Sequence, residues 1–95
     1  MVEAASDDAL EMIEAAMDSL KKAGALDTAT QQSLTSLLTQ ATVAWSKGKA
    51  EEESAEHTAF DRDGKAQMAL WGGAYTDYAT AQLYAQMVTA QLIQH

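Results

Sequence analysis

Glu53, His57 and Asp61 stand four residues apart, with Glu52 and Glu56 beside them. On a helix that spacing stacks two carboxylates and an imidazole on one face. Oxygen and nitrogen donors of this kind can hold zinc or iron, so these three are the candidate metal ligands. Di-iron bundles place Glu-x-x-His on each of two helices. Here the spacing is Glu-x-x-x-His, it occurs once, and the other histidine, His95, is terminal. The triad therefore reads as part of a solvated charged face, as charge runs usually do. Asp61-x-Asp63-Gly64 matches the middle of an EF-hand loop, but Ala59 and Leu70 stand at the first and twelfth positions. Without those two acids the loop has no calcium anchor.

Nucleophilic chemistry is equally poorly provided for. The chain has no cysteine, so thiolate catalysis, thiolate metal sites and disulfides are excluded. Six serines are present, Ser6, Ser19, Ser33, Ser36, Ser46 and Ser54, and none has a histidine or lysine placed as its base. No glycine-rich phosphate cradle occurs. The expectation is a protein that is not an enzyme and carries no cofactor.

The distribution of charge is more informative. Residues 28–46 contain no Asp, Glu, Lys or Arg, and residues 66–95 contain only Asp77. Between them, Lys47 to Lys65 holds ten charged side chains and His57 in nineteen positions. A helix exposed to water needs a polar face, and charges usually supply it. Two long uncharged stretches predict surfaces that meet protein. The formal charge of −8, from six basic and fourteen acidic residues, repels nucleic acid and anionic membrane and suits a basic protein partner. No window of about eighteen apolar residues exists to span a membrane. The first residues lack a basic, apolar signal sequence, so cytoplasmic residence is the default expectation, with a phage particle or signal-less export as other settings.

Three helices must position these residues. The first is expected over about 7–23, with Ser6 as N-cap and Asp7 and Asp8 at the positive dipole end. Leu10, Ile13, Met17 and Leu20 form its apolar stripe, and Gly24 is the expected C-terminal glycine. The second runs over about 28–60, capped by Asp27 or by a Thr28-x-x-Gln31 box. Leu34, Leu37, Leu38, Ala41 and Trp45 share one face, Ala55 and Ala59 are small inward candidates, and Gly48 can bend the helix. Asp61-Arg62-Asp63-Gly64 is the turn. The third helix spans about 65–94.

That third helix has no single apolar stripe. At about 100° per residue, Met68, Trp71, Tyr75 and Ile93 fall on one side, Leu70, Val88 and Leu92 on another, and Leu83 and Met87 on a third. A helix that is apolar all round is normally buried all round. At 1.5 Å per residue it would be about 43 Å long, more than one chain of 95 residues can enclose. Neighbouring chains are therefore expected around it. Trp71, Gly72, Gly73, Tyr75, Tyr78, Leu83, Met87, Val88 and Leu92 are the candidate self-association residues. Glu51, Glu52, Glu53 and Glu56 are the candidates for docking a basic partner. Alanine fills twenty positions, which serves both helix propensity and close helix packing.

Trp71-Gly72-Gly73, with Tyr75 and Tyr78 following, resembles the Trp-x-Gly signature of the WXG100 family of small exported helical hairpins. The resemblance covers about three residues. That family places the motif in a central turn, whereas twenty-two residues follow Gly73 here. Its Tyr-x-x-x-Asp/Glu export tail is absent, since Val88 stands four residues after Tyr84.

The sequence thus predicts an all-α protein: a short first helix, then a long antiparallel hairpin, packed as an oligomeric helical bundle. A structural, self-assembling homo-oligomer, filament or particle subunit is the leading functional expectation. An acidic adaptor or inhibitor for a basic protein surface, or a WXG100-like exported protein, are the alternatives.

Overall fold

The computed structural model describes residues 2–57 and 64–94. Three α-helices account for nearly all of them: α1 (Val2–Lys22), α2 (Thr28–His57) and α3 (Lys65–Ile93). No strand occurs among the described residues. Ala59 and Asp61 to Asp63, and with them most of the expected turn, lie outside the described residues. Gly64 adopts the left-handed conformation, φ 66°, at the start of α3, which glycine enters without a Cβ penalty.

The caps differ from expectation at two places. Asp27 caps α2, its Oδ1 accepting the Thr30 N–H at 2.7 Å. Ser6, however, is not the cap of α1. The helix begins at Val2, because Glu3, Ala4 and Ala5 are good helix formers and extend it upstream. Gly24 does not turn left-handed; among the described residues only Gly64 has a positive φ.

α2 and α3 pack side by side and antiparallel. The Gln67 side-chain amide donates to the Ala55 carbonyl near one end, and Tyr78 meets Gly48 and Glu52 farther along. α1 lies in the groove of this pair, parallel to α3 and antiparallel to α2. Gln82 reaches the Ala5 carbonyl and Gln86 the Met12 sulfur, while Met17 and Leu20 stand opposite Thr35, Leu38 and Thr39.

The core is a seam of alternating three- and four-residue steps on each helix. On α1 it reads Ser6, Ala9, Ile13, Ala16, Leu20. On α2 it is Leu34, Leu38, Ala41, Trp45, Gly48, Glu52, Ala55, and on α3 Trp71, Ala74, Tyr78, Ala81, Ala85, Val88, Leu92. All are buried or half-buried. A 3–4 alternation is the coiled-coil repeat, and its small side chains let the helices approach closely. Leu34, Tyr78 and Val88 are the largest fully buried side chains. Burying each supplies roughly 1.5–3 kcal/mol.

This seam revises the expected stripes. On α1, Met17 is 42 % exposed and Ala9 and Ala16 are fully buried instead. On α3, Tyr78 and Val88 belong to the chain's own core rather than to an outer surface, because both fall on the 3–4 repeat facing α1 and α2. Leu92 packs against the same core. Leu83, Met87, Met68, Tyr75 and Ile93 remain exposed.

Candidate functional site

Polar side chains gather where the first turns of α1 meet α2 and α3. Ser6 and Glu52 are buried, at 3 % and 4 % exposure. Both occupy seam positions, which is why the fold draws them inward. The Tyr78 hydroxyl donates to Glu52 Oε2 at 2.8 Å, and the Lys49 ammonium lies 3.2 Å from the same oxygen. The Trp45 indole N–H donates to the Ser6 carbonyl at 3.1 Å. Lys49 also sits 6.0 Å from the centre of the Trp45 ring, within cation–π range. A buried carboxylate without such partners would be costly; here two donors share one oxygen.

Tyr78 is the pivot of this cluster. Its ring lies against the backbone of Gly48, where a Cβ would stand 2.6 Å from Cε1 and 2.8 Å from Cδ1. Only glycine fits there. Burial raises the Tyr78 pKa to about 12; a Ser6 hydrogen bond opposes the rise, and Glu52 and then Glu51 reinforce it. The phenol therefore stays neutral near pH 7 and donates its proton to Glu52. It is a lock between helices, with no capacity to act as a base at that pH.

On the opposite flank, Glu51 approaches Asp77 and Gly73. Glu51 Oε2 occupies the space that a Gly73 Cβ would take. The Glu51 pKa is raised, first by a side-chain hydrogen bond with Asp77, then by burial and by the Asp77 charge, with Lys47 opposing. Glu51 Oε1 is a buried atom without a hydrogen-bond partner. Gly73 is thus a close-contact site, but its neighbour is a carboxylate rather than a crossing backbone. A Cβ at Gly72 would meet nothing within 4 Å.

The expected docking glutamates separate into three settings. Glu52 is consumed by the buried cluster and Glu51 turns toward Asp77. Glu53 and Glu56 are exposed and line an open cleft of about 550 Å³ with Glu3, Ser6, Asp7, Lys49, Glu52 and His57. Of the candidate metal ligands, Glu53 and His57 stand in this cleft and Asp61 lies outside the described residues. Among the described residues no group of three or more His, Asp or Glu side chains is arranged to hold a metal ion.

The expected self-association residues also divide. Tyr78 and Val88 are core, Trp71 and Leu92 are half-buried against it, and Gly73 faces Glu51. Gly72, Leu83 and Met87 lie on the outer side of α3, and Tyr75 is exposed on a third side. Trp71-Gly72-Gly73 sits inside a continuous helix rather than between helices. Sequence reasoning passed over Ser6, Gly48 and Lys49 as site residues. The signal that finds the first two is the 3–4 repeat of small and polar residues, which a search for large apolar residues does not register.

Among the described residues no helix is long and apolar enough to cross a membrane. No family model, curated protein or solved structure matches the chain.

Proposed function

We propose that this protein is a non-enzymatic structural protein that self-assembles, its helical hairpin packing with further copies as an oligomeric bundle in a homo-oligomer, filament or particle. One observation carries the reading. α3 bears a second seam on the side opposite the first: Ala69, Gly72, Thr76, Ala79, Leu83, Met87, Ala90 and Gln94, again stepping by three and four, and every one exposed. Leu83 is 56 % and Met87 38 % exposed. No charge interrupts this face, as is typical of the centre of a protein interface. Among the described residues nothing covers it, and an uncharged face with large apolar side chains exposed at its middle supports an interaction site.

The surface of α2 near the same end supports the reading. Residues 28–46 expose threonine, serine, glutamine and Val43, the last at 62 %. α1 carries the solubilising charges instead: Glu3, Asp7, Asp8, Glu11, Glu14, Asp18, Lys21 and Lys22, all exposed. Like helices meeting along a 3–4 seam are the ordinary means of helical self-association. Size-exclusion chromatography with light scattering tests this. A mass that is a multiple of 10.2 kDa is expected, with electron microscopy separating closed particles from filaments. A monomer at every concentration up to about 1 mM, a weak-affinity limit, would contradict it.

A further inference from the structure

α1 and α2 leave a groove of about 390 Å³ between them, lined by Met17, Leu20, Leu38 and Val43 and by no residue of α3. Met17 is 42 % and Val43 62 % exposed. Thr39 and Thr42 also line it, and their hydroxyls donate to the Thr35 and Leu38 carbonyls of their own helix. The groove therefore offers a partner apolar contact and little hydrogen bonding. Lys21, at one end, is the one charged side chain on it. Lys22 is paired with Asp18, whereas Lys21 forms no ion pair among the described residues.

This groove and the outer seam of α3 face opposite ways. The seam lies across α3 from the buried Tyr78, Ala81 and Ala85, and the groove lies across the α1–α2 pair from α3. Their lengths match: at 1.5 Å per residue, Thr35 to Val43 spans about 12 Å and Leu83 to Ala90 about 10 Å. Their levels match as well. Gln86 meets Met12, and about nine residues farther along these parallel helices Lys21 is level with the end of α3. The last turn of α3 holds no basic residue, so its negative dipole end has no cation of its own helix beside it.

We infer that the occupant of the groove is a second copy of this chain, which inserts the outer seam of its α3 between α1 and α2. The inference rests on the self-assembly reading above and specifies its interface. Leu83 and Met87 form the ridge, and Met17, Leu38 and Val43 form the hollow that receives it, as ridges pack into grooves between helices. Neither surface carries an acidic side chain, so the contact escapes the repulsion that a net charge of −8 sets between copies. A copy displaced sideways, without reversal, also brings the end of its α3 beside Lys21, where the dipole and the ammonium attract. The contact is head to tail. Each added copy leaves one seam and one groove free at the ends, so the assembly grows as an open filament or closes as a ring. Seam against seam would stop at two copies and leave Met17 and Val43 bare.

Complementation between two variants tests this. Met17→Lys with Val43→Lys blocks the groove and leaves the seam; Leu83→Lys with Met87→Lys blocks the seam and leaves the groove. All four side chains are exposed, so circular dichroism should show both variants folded. By light scattering each alone is expected at the monomer mass, and their equimolar mixture at about twice 10.2 kDa, because one intact seam meets one intact groove. A groove variant that keeps the wild-type assembled mass, or a mixture that stays monomeric, would overturn the inference while self-assembly itself stood. A monomeric wild-type protein would overturn both. Single cysteines in this cysteine-free chain give a second readout if a lysine pair unfolds it. Val43→Cys mixed with Leu83→Cys should be joined by a short bismaleimide; Leu83→Cys joined to itself would mean seam against seam and overturn the head-to-tail contact.

Discussion

α3 presents two seams, and they differ in what covers them. The inner one, Ala74, Tyr78, Ala81, Ala85 and Val88, is at most 1 % exposed and meets α1 and α2 of the same chain. The outer one, through Gly72, Thr76, Leu83 and Met87, also steps by three and four and has no cover among the described residues. The inner seam includes Tyr78, which is anchored through Glu52 and fitted to Gly48. The outer seam has no such anchor among the described residues: its Thr76 hydroxyl bonds back to its own helix at the Gly72 carbonyl. The inner seam thus holds the three helices together, and the outer seam is the surface on which we propose that further copies add.

Charge in the inner seam gives the largest effect. Val88→Lys places an ammonium in a fully buried position without a partner. The cost should exceed about 4 kcal/mol, most of the stability of a small domain. Circular dichroism should show loss of the cooperative melt; a folded variant with altered mass would instead place Val88 on an association surface. Next is Gly48→Ala. Alanine gains up to about 1 kcal/mol in an exposed helix interior, but here the new Cβ meets the Tyr78 ring. A net loss of roughly 1–3 kcal/mol, the usual range for overpacking, should appear in denaturant melts. An increase would mean that Tyr78 does not lie on Gly48.

Glu51→Gln examines the flank of the inner seam through pH. The Glu51 pKa is raised above its ordinary 4.5 in the folded protein, so folding favours the protonated form. That stabilisation is full below about 4.5 and is lost as pH rises through the folded value. At pH 7 the Glu51 carboxyl is therefore a liability, and the Gln variant should melt higher. Its advantage should shrink as pH falls toward 4.5. A gain independent of pH would exclude the Glu51–Asp77 contact as the cause. Gly72→Ala is the smallest change, on the outer seam. With open space around the site, it should stabilise the isolated chain by about 1 kcal/mol or less. Reduced mass in the same variant would show that a neighbouring copy packs closely at Gly72.

The helices were legible in the sequence because caps, charges and turn residues announce them: Asp27, Lys21 and Lys22, and Gly64 all stand at helix ends. The α2 stripe from Leu34 to Trp45 was also legible, since its residues are large and apolar. The α3 core was not. Its inner seam is mostly alanine, which serves propensity and packing alike, while Met68, Leu83 and Ile93 advertise hydrophobicity and stay exposed. The buried cluster was hidden for a related reason. Glu52 sits in a run of charges that otherwise faces water, and Ser6 looks like a cap; only their step along the repeat distinguishes them.

The most direct test of the two-seam account is Leu83→Lys with Met87→Lys, measured by light scattering and circular dichroism together. Both side chains are exposed in the single chain, so helicity and melting of the monomer should change by no more than about 0.5 kcal/mol. The account predicts that the wild-type protein is an assembly and that this variant is a folded monomer near 10.2 kDa. A variant that keeps the wild-type assembled mass, or a wild-type protein that is itself monomeric, would contradict it.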